Sequence, residues 1–170
     1  YRDILNAQSD HGPTLQALEG IKNGDKSPLA AASVLEPAYD ASGDWNRLIS
    51  VLEVQVRFSD DPFACVELLH RIAALYEESL SDHRSAFATY ARAVSVDSAN
   101  EDSLGALERL AMMIECWPQV AELYDIELEK LADGEAPERF VELGLRVAQV
   151  YEVQLENLDQ AVARYRRVLS

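Results

Sequence analysis

The sequence predicts an all-α fold, a solenoid built from antiparallel helix pairs, and three observations lead there. The segment PFACVELLHRIAALYEESLSDHRSAFATYARAVS overlays PERFVELGLRVAQVYEVQLENLDQAVARYRRVLS at an offset of 75 without a gap. Fourteen positions are identical, among them Arg71/Arg146, Tyr76/Tyr151, Ala86/Ala161 and Tyr90/Tyr165. The intervening segments match at an offset of 72, Leu35-Glu36 over Leu107-Glu108 and Trp45 over Trp117. A double period of this size implies a unit of two helices, the length range of helical repeat arrays. Finally, Leu68, Ile72, Leu75 and Tyr76 follow the three-to-four spacing of an amphipathic helix, as do Ala86, Phe87, Tyr90 and Val94, and no stretch alternates as a strand would.

Taken in order, the chain opens on Tyr-Arg-x-Ile-Leu, the phrase that returns as Tyr165-Arg166-x-Val168-Leu169. At an offset of 89 the opening also falls on the middle of the chain, Leu15, Ala17, Leu18 and Glu19 over Leu104, Ala106, Leu107 and Glu108. The same phrase at both ends reads as a window cut from a longer array. Residues 1–27 are expected to hold a partial repeat, the end of a second helix followed by an unpaired helix at 14–23. Four pairs are expected to follow, at 28–58, 62–96, 101–131 and 137–170. Their helices are placed at 28–42, 44–58, 62–80, 83–96, 101–115, 117–131, 137–155 and 158–169. Pro37 is expected to kink the first of these. Asp61 before Pro62 reads as an N-cap with proline at the first helical position, where its missing N–H costs nothing. Asp82 and Asn157, equivalent by the repeat, are candidate caps for the second helices.

Composition bounds the function. Of 170 residues 48% are apolar, enough for a continuous core, and the formal net charge is −15. That balance argues against binding a nucleic-acid backbone, which needs clustered Lys and Arg. No apolar run approaches the roughly 18 residues of a membrane span. The location stays open, with the cytoplasm slightly favoured, because a fragment need not carry its parent's signal peptide. Cys65 and Cys116 fall at opposite ends of neighbouring helices, roughly 20 Å apart at about 1.5 Å per helical residue. A disulfide needs Cα atoms within about 7 Å, so both read as free thiols.

Sites of chemistry are scarce. His11, His70 and His83 lack metal-ligand spacing. DSANEDSLGALE has the acids of a calcium loop, but Ala99 holds a ligand position and Asp102 replaces the glycine. No Gly-rich phosphate loop, nucleophile elbow or Cys-x2-Cys occurs. The reading is therefore not an enzyme, with no cofactor and no metal; an enzyme-regulatory domain is the remote alternative. Trp45 and Trp117 each open a second helix and read as packing residues.

These residues resemble a known pattern. Leu69-x2-Ile72-Ala73-x2-Tyr76 with Ala86-x3-Tyr90 is similar to the tetratricopeptide repeat (TPR), W-x2-L-G-x2-Y followed by A-x3-F, and so is Gly144-x2-Val147-Ala148-x2-Tyr151 with Ala161-x3-Tyr165. Leu104-x2-Leu107-Glu108-x2-Ala111 with Val120-x3-Tyr124, and Ala32-x2-Leu35-Glu36-x2-Tyr39 with Leu48-x3-Leu52, complete the series. Two departures stand out: Leu69 or Gly144 holds the tryptophan position, and the interval from Tyr76 to Ala86 is one residue longer than the pattern. The resemblance implies a right-handed superhelix whose first helices line a concave face. It points Glu67, His70, Ala74, Glu77 and Glu78 toward that face from one helix. The next contributes Asp102, Arg109, Met112 and Met113, and the last Glu142, Leu145, Gln149 and Glu152. Such a face is acidic with an adaptable methionine patch. The function expected is a non-catalytic scaffold binding a partner's peptide or helix, of basic character. The alternative is a structural spacer that associates end to end.

Overall fold

The structure is a computed structural model of the chain; it describes residues 1–24, 27–132, 134 and 136–169, with Asn6 described by its backbone alone. Every element among the described residues is helical, and they fall into two compact units, 1–82 and 83–170.

The first unit holds α1 (Arg2–Ala7), α2 (Gly12–Lys22), α3 (Pro28–Ser42), α4 (Trp45–Arg57) and α5 (Pro62–Ala74). Short loops force successive helices to alternate in direction. The α3–α4 turn shows how. Gly43 adopts φ 67° and its N–H reaches the Asp40 carbonyl; Asp44 then caps α4 by accepting the Arg47 N–H at 3.3 Å. A left-handed residue at a helix end favours glycine because no Cβ opposes it. Trp45 packs beside the core of Leu18, Leu35, Tyr39, Leu48, Leu52 and Ile72. At α5 the cap forms as expected, Asp61 accepting the Phe63 N–H. The helix read as unpaired, α2, packs on α3, where Tyr39 donates its hydroxyl to Glu19 at 2.6 Å. Helix α3 continues through Pro37 to Ser42.

The second unit holds α6 (His83–Val96), α7 (Glu101–Ile114), α8 (Trp117–Leu131), α9 (Pro137–Gln149) and α10 (Leu158–Leu169). Helix α6 lies on α7, α8 on α9, and α9 on α10. Val94, Leu107, Val120, Tyr124, Leu128 and Val147 are fully buried between them. Small residues set the close approach. A Cβ on Gly144 would collide with Val168 Cγ2, nearer than any real contact allows.

Two helices end in a way the periodicity does not reveal. Beyond Ala74, α5 continues as one π-helical turn, Leu75–Ser79, and beyond Gln149, α9 does the same over Val150–Gln154. The Leu80 N–H reaches the Leu75 carbonyl at 3.1 Å, and Leu155 reaches Val150 at the same distance. Ser81 and Glu156 then turn left-handed, φ 54° and 50°, and the next N–H closes on Tyr76 or Tyr151 at 2.8 Å. A π turn is an α-helix holding one extra residue. It absorbs the extra residue between Tyr76 and Ala86, and again between Tyr151 and Ala161.

Candidate interaction groove

The repeat that shapes the helices also places charges. In the first unit Glu36 of α3 accepts bonds from Gln55 of α4 at 2.6 Å and Arg71 of α5 at 2.8 Å. In the second, the equivalent Glu108 of α7 accepts from Tyr124 of α8 at 2.9 Å and Arg146 of α9 at 3.1 Å. Each carboxylate thus ties its own helix to the next two. Arg146 also reaches Glu101 at 2.6 Å. Burial alone would lower the Arg146 pKa, but the charges of Glu108 and Glu101 outweigh it and push it up, so the guanidinium stays charged. Tyr124 is fully buried, and burial, followed by the charge and hydrogen bond of Glu108, lifts its phenol well above the usual range.

Above this network a groove of about 660 Å³ opens between α7 and α9. Asn100 fixes one wall by capping α7, accepting the Ser103 N–H at 2.8 Å. That wall presents Glu101, Leu104 and Glu108; the other presents Arg139, Glu142, Leu145, Arg146 and Gln149. Because Arg146 spans the floor, Glu101 and Glu108 are engaged. Exposed Glu142 and Leu145 stand on the rim with the Gln149 amide.

The residues anticipated from sequence are dispersed. Glu142, Leu145 and Gln149 line the groove. Asp102, Arg109, Met112 and Met113 are on α7 but are not among its lining residues; both methionines are exposed, and Arg109 Nη1 lies 3.8 Å from Met113 Sδ. Glu152 accepts the Tyr165 hydroxyl at 2.8 Å. In the first unit Glu67 is exposed and His70 and Ala74 are half-buried, while Glu77 and Glu78 belong to the π turn. Sequence reasoning passed over Glu101, Glu108, Arg139 and Arg146. Two of these carried a signal: Arg71/Arg146 and Glu36/Glu108 are identities of the internal repeat, and together they form its recurrent ion pair.

Other candidates prove structural. Trp117 packs beside the second core, as Trp45 does beside the first, and both cysteines are free. Among the described residues there is no cluster of metal-ligating side chains, and no helix is long and apolar enough to cross a membrane.

Antiparallel helix hairpins, small residues at their crossings and one recurrent ion pair decide the architecture. The fold is TPR-like. No family model matches the chain, and no curated protein does. Among solved structures the chain is similar to nearly identical TPR-like repeats from Podosopora anserina, a protein provisionally classed as a kinesin light chain. The likeness has 15% identity and a TM-score of 0.42, and covers 99% of this chain and 92% of that one. A point variant of that protein is similar at 16% identity and a TM-score of 0.42, over 98% and 90% of the two chains. Likeness at this level bears on neither ligand nor partner.

Proposed function

We propose that this TPR-like chain is a protein-interaction scaffold that takes a basic-amphipathic peptide or helix in the groove between α7 and α9. The open groove itself carries the reading. Its floor charges are already matched through Arg146, so a client meets the exposed side chain of Leu145, an amide at Gln149, the carboxylate of Glu142 and, further along the same helix, the guanidinium of Arg139. Apolar contact supplies affinity, while Glu142 raises the association rate and selects positive clients. That contribution weakens as salt shortens the Debye length from about 8 Å at physiological strength. On this reading the helices of the second unit position these walls, and the chain carries out no chemistry of its own.

A random peptide library displayed on phage and panned against the full chain tests this. Enriched peptides should be basic and amphipathic. Glu142→Lys and Leu145→Glu should each weaken their binding by about tenfold, an interaction of roughly 1.4 kcal/mol. Peptides that ignore both substitutions but lose binding with Met112→Glu would move the site to the exposed face of α7. Peptides indifferent to all three would end the groove reading.

A further inference from the structure

Helix α9 presents its groove side chains in a definite order. Arg139, Glu142 and Leu145 follow one another at three-residue intervals, and Gln149 comes four residues later. At about 1.5 Å per helical residue, the four span roughly 15 Å of one wall. All four are exposed. Arg146 is committed to Glu101 and Glu108, whereas Arg139 and Glu142 enter no ion pair among the described residues.

The two ends of the groove therefore differ. Helices α7 and α9 both run opposite to α8, so their N-terminal ends lie together. Ser98, half-buried just before α7, and Arg139, in the first turn of α9, line that end. A guanidinium and a hydroxyl there can both donate to a carboxylate. One turn further in, Glu142 accepts from a cation, and beyond it Leu145 offers apolar contact. An acid, a base and an apolar side chain are the complements of this wall, in that sequence.

We propose that the groove selects its partner by charge order and not by net charge alone, a refinement that rests on the groove reading above. The occupant is a helical segment whose one face carries an apolar, a basic and an acidic side chain, one turn apart, set against Leu145, Glu142 and Arg139. Spacing favours a helix over a strand. Side chains three apart on a helix rise by the same about 4.5 Å, whereas those on one face of an extended chain recur at about 6.6 Å and fall out of step. Single exposed ion pairs contribute little. Selectivity comes from the wrong order, which sets a base against Arg139 and an acid against Glu142.

Fluorescence anisotropy with the full chain tests this using two synthetic alanine-based helical peptides. One carries Leu, Lys and Glu at i, i+3 and i+6; the other has its Lys and Glu exchanged. Both carry the same further lysines on the opposite face, so attraction to the overall charge of −15 is equal for the two. The Leu–Lys–Glu peptide should bind about tenfold tighter. Combining Arg139→Glu with Glu142→Arg should reverse that preference; both sites are exposed, and circular dichroism checks that the helices persist. Equal binding of the two peptides, with both lost on Leu145→Glu, keeps the groove and overturns the charge order. A preference that survives the double substitution unchanged overturns it as well. Equal binding indifferent to Leu145→Glu, or binding by neither peptide, overturns the charge order and the groove together.

Discussion

Tyr39 and Tyr124 are buried, yet each hydroxyl finds a carboxylate on another helix, Glu19 at 2.6 Å and Glu108 at 2.9 Å. Tyr124→Phe should cost about 1.5–3 kcal/mol in urea denaturation, the usual net worth of a hydrogen bond to a charged group. The pH dependence follows from the same contacts. Burial, then the bond and charge of Glu19, raise the Tyr39 phenol, as burial and Glu108 raise Tyr124. An acid whose folded pKa is raised adds stability that is complete below its unfolded value, near 10, and is lost as pH climbs beyond it. Stability should therefore decline above about pH 10, and less steeply in a Tyr39→Phe/Tyr124→Phe double variant. Glu19 behaves oppositely. Burial works to raise its pKa, but the bonds from Lys22 and Tyr39 prevail and lower it. Its contribution is present above about pH 4.3 and lost as acid protonates the carboxylate. The tyrosines were legible in the sequence as positions of the repeat pattern. Their acceptors were not, because Glu108 answers to Tyr124 and Arg146 on two other helices, and spacing within one helix says nothing of a third.

At the scale of the element, the π turns make an unusual promise. The extra residue is stored inside the helix, so deleting Glu78 should let α5 run on as regular helix without rotating what precedes or follows it. That deletion should shift the thermal midpoint little, whereas deleting Arg71 in the regular part should unfold the unit. Equal damage from both would mean the turn stores no spare residue. Close crossings behave conversely. Gly144→Ala should destabilise by about 1–3 kcal/mol through overpacking, and Val168→Ala should restore most of that loss by removing the methyl in the way. Ala161→Leu and Ala86→Leu should cost a similar amount, both side chains being enclosed. The helices themselves could be read from Asp61-Pro62 and from apolar spacing. The extra residue showed as a long interval, but an interval does not say whether a loop or a helix will absorb it.

On the scale of the whole molecule, each unit keeps its own core, and interactions in repeat proteins are mostly between neighbours. Leu52→Ala should cost about 2–5 kcal/mol, as other large buried truncations do, and should lower amide-exchange protection chiefly within residues 1–82. Uniform loss across both units would mean a single cooperative block. The charge of −15 announced an acidic surface, and composition could go no further. The groove was harder to read than the fold, since Glu101 and Arg146 lie 45 residues apart and meet only after α7 and α9 are side by side. Glu142 and Leu145 were visible as helix-face residues; the arginine beneath them was hidden by its role in the repeat.

The ion pair of Arg146 with Glu101 and Glu108 has a mechanical consequence. It is a clasp across the floor of the groove between α7 and α9. Raising salt or replacing Arg146 with Met would loosen the clasp while leaving the hydrophobic hinge beneath it intact. The unit would then stretch more per unit of force, so the stiffness measured by optical tweezers would report directly on how firmly the groove is held to one width.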